Sequence, residues 1–194
     1  MTIKKKERVY NNLFKVDKAI LQHEKFNGTM SKEIVRLNFN RGNTVAVLLY
    51  NPTTESVILV KQFRYPAYVD NGPGWLIECV AGIIDNGEIS VAKKEVLEET
   101  GFKVDALLYL TQIYPSPGGC SEKISLYLAY VGADDKVKEG NYMGVGNEDI
   151  CIVEVPLEKA LDMIKSGEIC DAKTIISLFF LRDRVGACPN ETIH

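Results

Sequence analysis

Glu95, Glu98 and Glu99 stand at i, i+3 and i+4 within the stretch GEISVAKKEVLEETGF, so on a helix their carboxylates share one face and their charges compete. Each like-charge pair costs only about 0.2–0.5 kcal/mol on an exposed helix. Charge alone therefore leaves two readings open: an acidic face relieved by water and by Lys93 and Lys94, or a site for a cation. The preceding CVAGIIDNGE reads as a strand running into glycines and polar turn residues, which brings main-chain carbonyls such as that of Ala81 close to the helix start. Carboxylates and a carbonyl are hard oxygen donors, the set that suits Mg²⁺ or Mn²⁺ and not zinc. A divalent cation would relieve the crowding.

The elements that must hold these carboxylates are mostly strands before the helix and a mixture after it. FKVDKAIL alternates, FNGT carries an Asn-Gly turn signal and KEIVRLNF alternates again, which predicts a hairpin. NTVAVLLY and SVILVKQF, joined by the turn NPTTE, read as central strands, and GWLIECVAG as one further short strand. A helix is predicted over Ser90–Thr100, with Ser90 as its cap and Gly101 as its stop. ALLYLTQIY and KISLYLAYV follow as strands around the loop PSPGGCSE, then the strand DICIVEV. PLEKALDMIKSG is a helix opened by Pro156 and closed by Gly167, and DAKTIISLFFLRDR a second helix with an apolar face. The class expected is α+β, a mixed β-sheet with helices packed on it. Neither internal repeats nor low-complexity segments appear.

A chain of 194 residues suits one well-filled domain, or one with an appendage. With 46% hydrophobic and 25% charged residues it matches globular averages, which excludes disorder and fibrous repeats. A net charge of -3 offers no general attraction to nucleic acid or to an anionic membrane, and the one basic run, KKKER, reads as a solvated terminal tail. No segment reaches the roughly 18 consecutive apolar residues of a membrane span, and no signal peptide is visible, so the cytoplasm is the expected compartment. Cys79, Cys120, Cys151, Cys170 and Cys188 are odd in number and widely spaced, with two histidines in the chain. They read as reduced residues, mostly core, with Cys120 in an exposed Gly-rich loop.

The glutamate stretch resembles the signature of the nudix hydrolases: Gly, five residues, Glu, seven residues, then Arg-Glu-apolar-any-Glu-Glu-any-Gly-apolar. Gly82 is followed after five residues by Glu88, and Lys94-Glu95-Val96-Leu97-Glu98-Glu99-Thr100-Gly101-Phe102 supplies the second half. Two departures stand out. Five residues, not seven, separate Glu88 from Lys94, which leaves the role of Glu88 open, and Lys94 keeps the charge of the usual Arg without its planar fork. RGNTVAVLLYN, VKQFRYP, LIECVAGIIDN, YPSPGG, NEDI and IKSGEICDAKT extend the resemblance over roughly residues 9–184, toward the branch that acts on nucleoside diphosphate sugars.

The resemblance implies a nudix fold: a mixed sheet between helices, an α/β/α sandwich, with an N-terminal antiparallel β-hairpin. It divides the chain into a hairpin region at 1–40, exchanged between the subunits of a homodimer, a nudix domain at 41–184 and a tail at 185–194. It implies Mg²⁺, or Mn²⁺, held by the Ala81 carbonyl, Glu95, Glu99 and Glu148, with Glu98 and Glu99 in catalysis. Glu148, in GVGNEDI after the glycines at 144 and 146, takes the role of the base, with Asp149 as fallback. Phe14, Arg36, Arg64, Glu78, Gly82, Glu122 and Lys173 fall at positions that contact substrate; Trp75 is expected in the core or at a dimer contact. The expected reaction cuts a nucleoside diphosphate sugar, GDP-mannose for preference, into a nucleoside monophosphate and a sugar 1-phosphate. ADP-ribose is the alternative substrate. The rivals are a non-hydrolysing nucleotide-sugar sensor and an acidic interaction helix without metal.

Overall fold

The computed structural model describes residues 1–69, 71–85, 87–144 and 149–186. The chain forms two units: residues 1–43 with 114–123, and residues 44–113 with 124 onward.

In the first unit β1 (Thr2–Asn11), β2 (Lys15–Gln22) and β3 (Ile34–Asn40) form one antiparallel sheet in the order β1-β2-β3. The predicted hairpin is β2–β3, turned at FNGT with Gly28 at φ 78°. The basic run is not a solvated tail, because it lies inside β1. Its charges are met along the ladder: Lys5 Nζ lies 2.7 Å from Glu7, and Arg8 forks onto the buried Asp17 at 2.8 and 3.3 Å. Local charge is outweighed once the run stands on an exposed strand with Lys5 and Arg8 each beside an acid. Ser121 donates to the Phe39 carbonyl and Phe39 to that of Gly119, which fastens the 114–123 loop to β3.

In the second unit, β4 (Thr44–Asn51), β5 (Ser56–Phe63), β8 (Leu108–Ile113), β9 (Ile124–Tyr130), β10 (Tyr142–Met143) and β11 (Ile150–Pro156) form a sheet in the order β10-β11-β5-β4-β9-β8. β6 (Trp75–Glu78) adds to β5 and β7 (Val80–Ile83) to β4. Among the described residues of this sheet only β4 and β9 run parallel, so the sheet is mixed. The helices are α1 (Tyr65–Tyr68), α2 (Glu88–Thr100), α3 (Leu157–Ser166) and α4 (Ala172–Gly186). Val45, Val47 and Leu49 of β4 pack with Val91 and Val96 of α2, whereas Ala46, Leu48 and Tyr50 belong to the core shared with Leu161, Leu178 and Leu181 of α3 and α4. Covered on both faces, β4 is continuously apolar. The three layers match the expected α+β nudix architecture.

Several local expectations are corrected. GWLIECVAG is two strands, because the Cys79 N–H leaves the ladder to donate to Thr174 Oγ1 at 2.7 Å, and the chain passes from β5 to β4 at that point. The helix starts at Glu88, after Gly87 at φ 79°. Ser90 is therefore inside the first turn, its hydroxyl donating to the Gly87 carbonyl at 2.8 Å, and is no cap. Gly101 and Gly167 do stop their helices, at φ 75° and 82°. Helix α4 runs to Gly186, two residues into the expected tail; residues 187–194, Cys188 among them, lie outside the described residues. Among the described cysteines all are free, but only Cys79 is core. Burial pushes its thiol up to about 12, while Cys170 is exposed and Cys120 and Cys151 are half-buried. Trp75 is not core either: it is 45% exposed and edge-on to Phe63 at 5.6 Å.

Candidate active site

Helix α2 seats Val91, Ala92, Val96 and Thr100 against the sheet, and this seating sets where its acids point. Glu99, between Val96 and Thr100 on the buried side, is 5% exposed, while Glu95 and Glu98 are half-buried. The three carboxylates thus share a face but not an environment. Lys94 lies 3.4 Å from Glu98, which raises the Lys94 pKa, and the Glu95 charge adds to the effect.

Strand β7 passes the middle of α2, not its start. Its position follows from the ladder with β4, which pairs Ala81 with Ala46 and Gly82 with Val45. A Cβ added at Gly82 would stand 2.7 Å from both Cδ and Oε1 of Glu95. Glycine there lets main chain and carboxylate meet. Among the described residues no three Asp, Glu, His or Cys side chains are gathered into a ready ligand cluster. The donor set nonetheless fits a hard divalent cation: all oxygens, two glutamates one turn apart, and a main-chain cradle that any side chain at 82 would fill.

A second cluster brings together residues that the sequence scatters. Arg64, which follows β5, donates from Nε and Nη2 to the two carboxylate oxygens of Glu78 at 2.8 and 3.0 Å. Lys173, on the first turn of α4, donates to Glu78 Oε2 at 2.5 Å and lies 3.0 Å from Asp171. Asp171 also accepts from the Thr174 hydroxyl at 2.6 Å, whose oxygen in turn receives the Cys79 N–H. Burial works against the charge on Glu78, but Arg64 and Lys173 outweigh it and hold its pKa below the ordinary value. Burial likewise opposes the charge on Lys173, yet Asp171 and Glu78 raise its pKa. For Arg64, burial is again overcome by Glu78, with Glu99 and Asp171 adding to the rise; Arg64 thus feels the acidic helix face.

The structure therefore brings Arg64, Glu78 and Lys173 into one knot and sets Gly82 and Glu95 against each other. Glu78 is 2% exposed and committed to its partners, so it presents no free surface. Lys173, 8% exposed, is no ordinary helix-start lysine. Phe14, Arg36 and Glu122 belong to the first unit. There the Phe14 ring lies 5.2 Å from that of Phe39 and 5.9 Å from the Arg41 guanidinium, Arg36 donates to the Val35 carbonyl, and the buried Glu122 lies 3.7 Å from Arg41. Glu148 lies outside the described residues; Asp149, next to it, is exposed. Sequence reasoning missed Asp171, Arg41 and Tyr127. Asp171 had a signal, since an Asp three residues ahead of Thr174 at a helix start is a capping pattern, here realised by the Thr174 N–H at 3.0 Å.

The family pattern described as the NUDIX domain matches residues 40–176. The chain belongs to the nudix family. Nudix hydrolases generally use divalent metal cations, in keeping with the oxygen-donor cradle at Glu95 and Gly82. Relatives named GDP-mannose pyrophosphatase, from Shigella flexneri and from Escherichia coli strain K12, are each 42% identical over 146 residues, covering 74% of this chain and 75% of theirs. The crystal structure of an ADP compounds hydrolase superposes with a TM-score of 0.70 over 97% of this chain and 95% of its own, at 23% identity. That likeness establishes a shared nudix fold.

Proposed function

We propose that this nudix hydrolase uses Mg²⁺, with Mn²⁺ as a substitute, to cut the diphosphate link of a nucleoside diphosphate sugar, GDP-mannose first, into GMP and mannose 1-phosphate. The observation that carries the reading is the closeness of the Gly82 main chain to the Glu95 carboxylate on the helix face that also bears Glu99. The 42% identity to GDP-mannose pyrophosphatases supports the choice of substrate.

Diphosphate hydrolysis is limited by charge and positioning, since water must approach phosphorus past anionic oxygens. Bound cations would neutralise those oxygens and acidify the attacking water. Glu95, Glu99 and the Ala81 carbonyl are the ligands in this reading, joined by Glu148, which also takes the proton of the attacking water, with Asp149 as fallback. Glu98, already met by Lys94, supports the site from the edge of the face. Arg64 keeps one edge of its guanidinium on Glu78 and is 39% exposed, so its outer edge is left to engage a phosphate oxygen. By resemblance to the family, Phe14 and Arg36 of an exchanged N-terminal region would stack on or hydrogen-bond the base, and Glu122 and Lys173 are assigned substrate contacts on that same ground.

The same reading includes a homodimer with exchanged N-terminal strands. Ile3, Val9, Tyr10, Val35 and Leu37 of the three-stranded sheet are all at least half exposed, apolar surface that a partner subunit would cover.

The test is product analysis after incubation with GDP-mannose, ADP-ribose and ADP-glucose in parallel, with and without Mg²⁺. GMP and mannose 1-phosphate formed only with metal are expected. AMP from ADP-ribose alone would move the substrate, and nucleotide binding without turnover would replace the enzyme reading by a sensor.

A further inference from the structure

The acidic face of α2 functions, on the reading above, only if the helix is held in register with β7, and the signature of this chain is weak where that hold would be expected. Lys94 has no planar fork, is 64% exposed in its side chain, and makes its contact within the helix, to Glu98. Gly87 at the helix start offers no side-chain cap.

Glu88 supplies what is missing. It is the first residue of α2 and lies two turns before Glu95, on the same side of the helix. Its Oε1 accepts from the Tyr127 hydroxyl at 2.7 Å, across 39 residues of sequence. Tyr127 sits in the middle of β9, 8% exposed, flanked by Val47 on one neighbouring strand and Tyr109 on the other, whose ring meets it edge-on at 5.5 Å. The donor is thus fixed by the sheet and the acceptor belongs to the helix. A carboxylate acceptor makes this a strong hydrogen bond, and an acid in the first helical turn is also favoured by the helix dipole.

We propose that the Tyr127–Glu88 hydrogen bond fastens α2 to the sheet and thereby sets the acidic face against β7, making Glu88 and Tyr127 positioning residues and Glu88 no metal ligand. Burial first, and the Glu88 carboxylate second, push the Tyr127 hydroxyl up to about 12, so it remains a donor throughout any working pH. The shortened signature then has a physical meaning: Glu88 is spaced to meet β9, not Lys94.

The test is Mn²⁺ binding to the full chain, followed by the electron paramagnetic resonance of free Mn²⁺, with thermal unfolding measured alongside. Tyr127→Phe and Glu88→Ala are each expected to weaken Mn²⁺ binding about tenfold, the lower end of what losing a supporting contact around a metal site costs. The double variant should be no weaker than either single one. Glu88→Gln keeps an acceptor oxygen and should recover most of the loss. Unchanged affinity in Tyr127→Phe with only a lower unfolding temperature would make the contact merely structural and overturn the proposal. Loss in Glu88→Gln with a silent Tyr127→Phe would make Glu88 a ligand and overturn it as well. Should Tyr127→Phe not fold, the half-buried Glu88→Ala and Glu88→Gln carry the comparison. Failure of the wild-type chain to bind Mn²⁺ would instead bring down the functional reading on which this inference rests.

Discussion

The two charged clusters of the second unit are built on opposite rules. On α2, Glu95, Glu98 and Glu99 gather one sign on one face, and Lys94 at the rim meets Glu98. At the start of α4, Arg64, Glu78, Lys173 and Asp171 alternate in sign, and each is satisfied by the next. Like charges on a helix are tolerated where function places a cation among them, whereas buried ions persist when each finds a hydrogen-bonded partner. The first cluster gathers one sign on one face, the arrangement on which the proposed cation site rests, whereas in the second each charge is met and Glu78 holds Arg64 in place.

The comparison breaks most sharply at Glu99. Glu99→Gln should lower turnover by more than about 100-fold, beyond the range seen for supporting residues around metals, with thermal unfolding little changed; steady-state kinetics beside a melting curve would check both halves.

Glu78→Gln should do the reverse and act first on stability. Removing one partner of a buried pair costs about 3–5 kcal/mol, with the lower end expected because Arg64 is 39% exposed and screened by water. Denaturant titration would measure it. The same residue gives a pH signature. Its folded pKa is depressed, so its contribution is present above the ordinary carboxylate value and is lost as pH falls through the lower folded value. Lys173, raised in the folded state, contributes fully below the ordinary lysine value and loses that contribution as pH rises through the higher folded one. The acid limb of the stability profile should shrink in Glu78→Gln, and the alkaline limb in Lys173→Met.

Gly82→Ala sharpens the first half of the comparison. The added methyl must displace the Glu95 carboxylate, so a loss of about tenfold in metal affinity is expected, read by Mn²⁺ titration, with the β4–β7 ladder intact. The smallest effect is expected for Arg64→Lys, which retains charge but not the fork. KM should rise about fivefold, within the reach of one charge-assisted hydrogen bond, and kcat should change little.

Much of this was legible from local pattern. Alternation located β2 and β3, an apolar run located β4, and glycines at 101 and 167 marked helix ends, because each depends on a few neighbouring residues. The spacing of Glu95, Glu98 and Glu99 was enough to suggest a cation. Failures came where a distant partner intervened: the basic run became β1 once Asp17 and the β2 ladder met it, and Cys79 broke a strand because Thr174 took its N–H.

The sequence by itself determined the helix that bears the carboxylates and the family to which it belongs, since spacing within one element survives any packing. Tertiary structure alone decided that Glu99 is buried while Glu95 and Glu98 are half-buried, that β7 crosses at Glu95, and that Glu78 is shared by Arg64 and Lys173. Those outcomes turn on register and on contacts across as many as 95 residues. A side chain's charge is written in the sequence, but what neutralises it is set by whichever strand or helix folds against it.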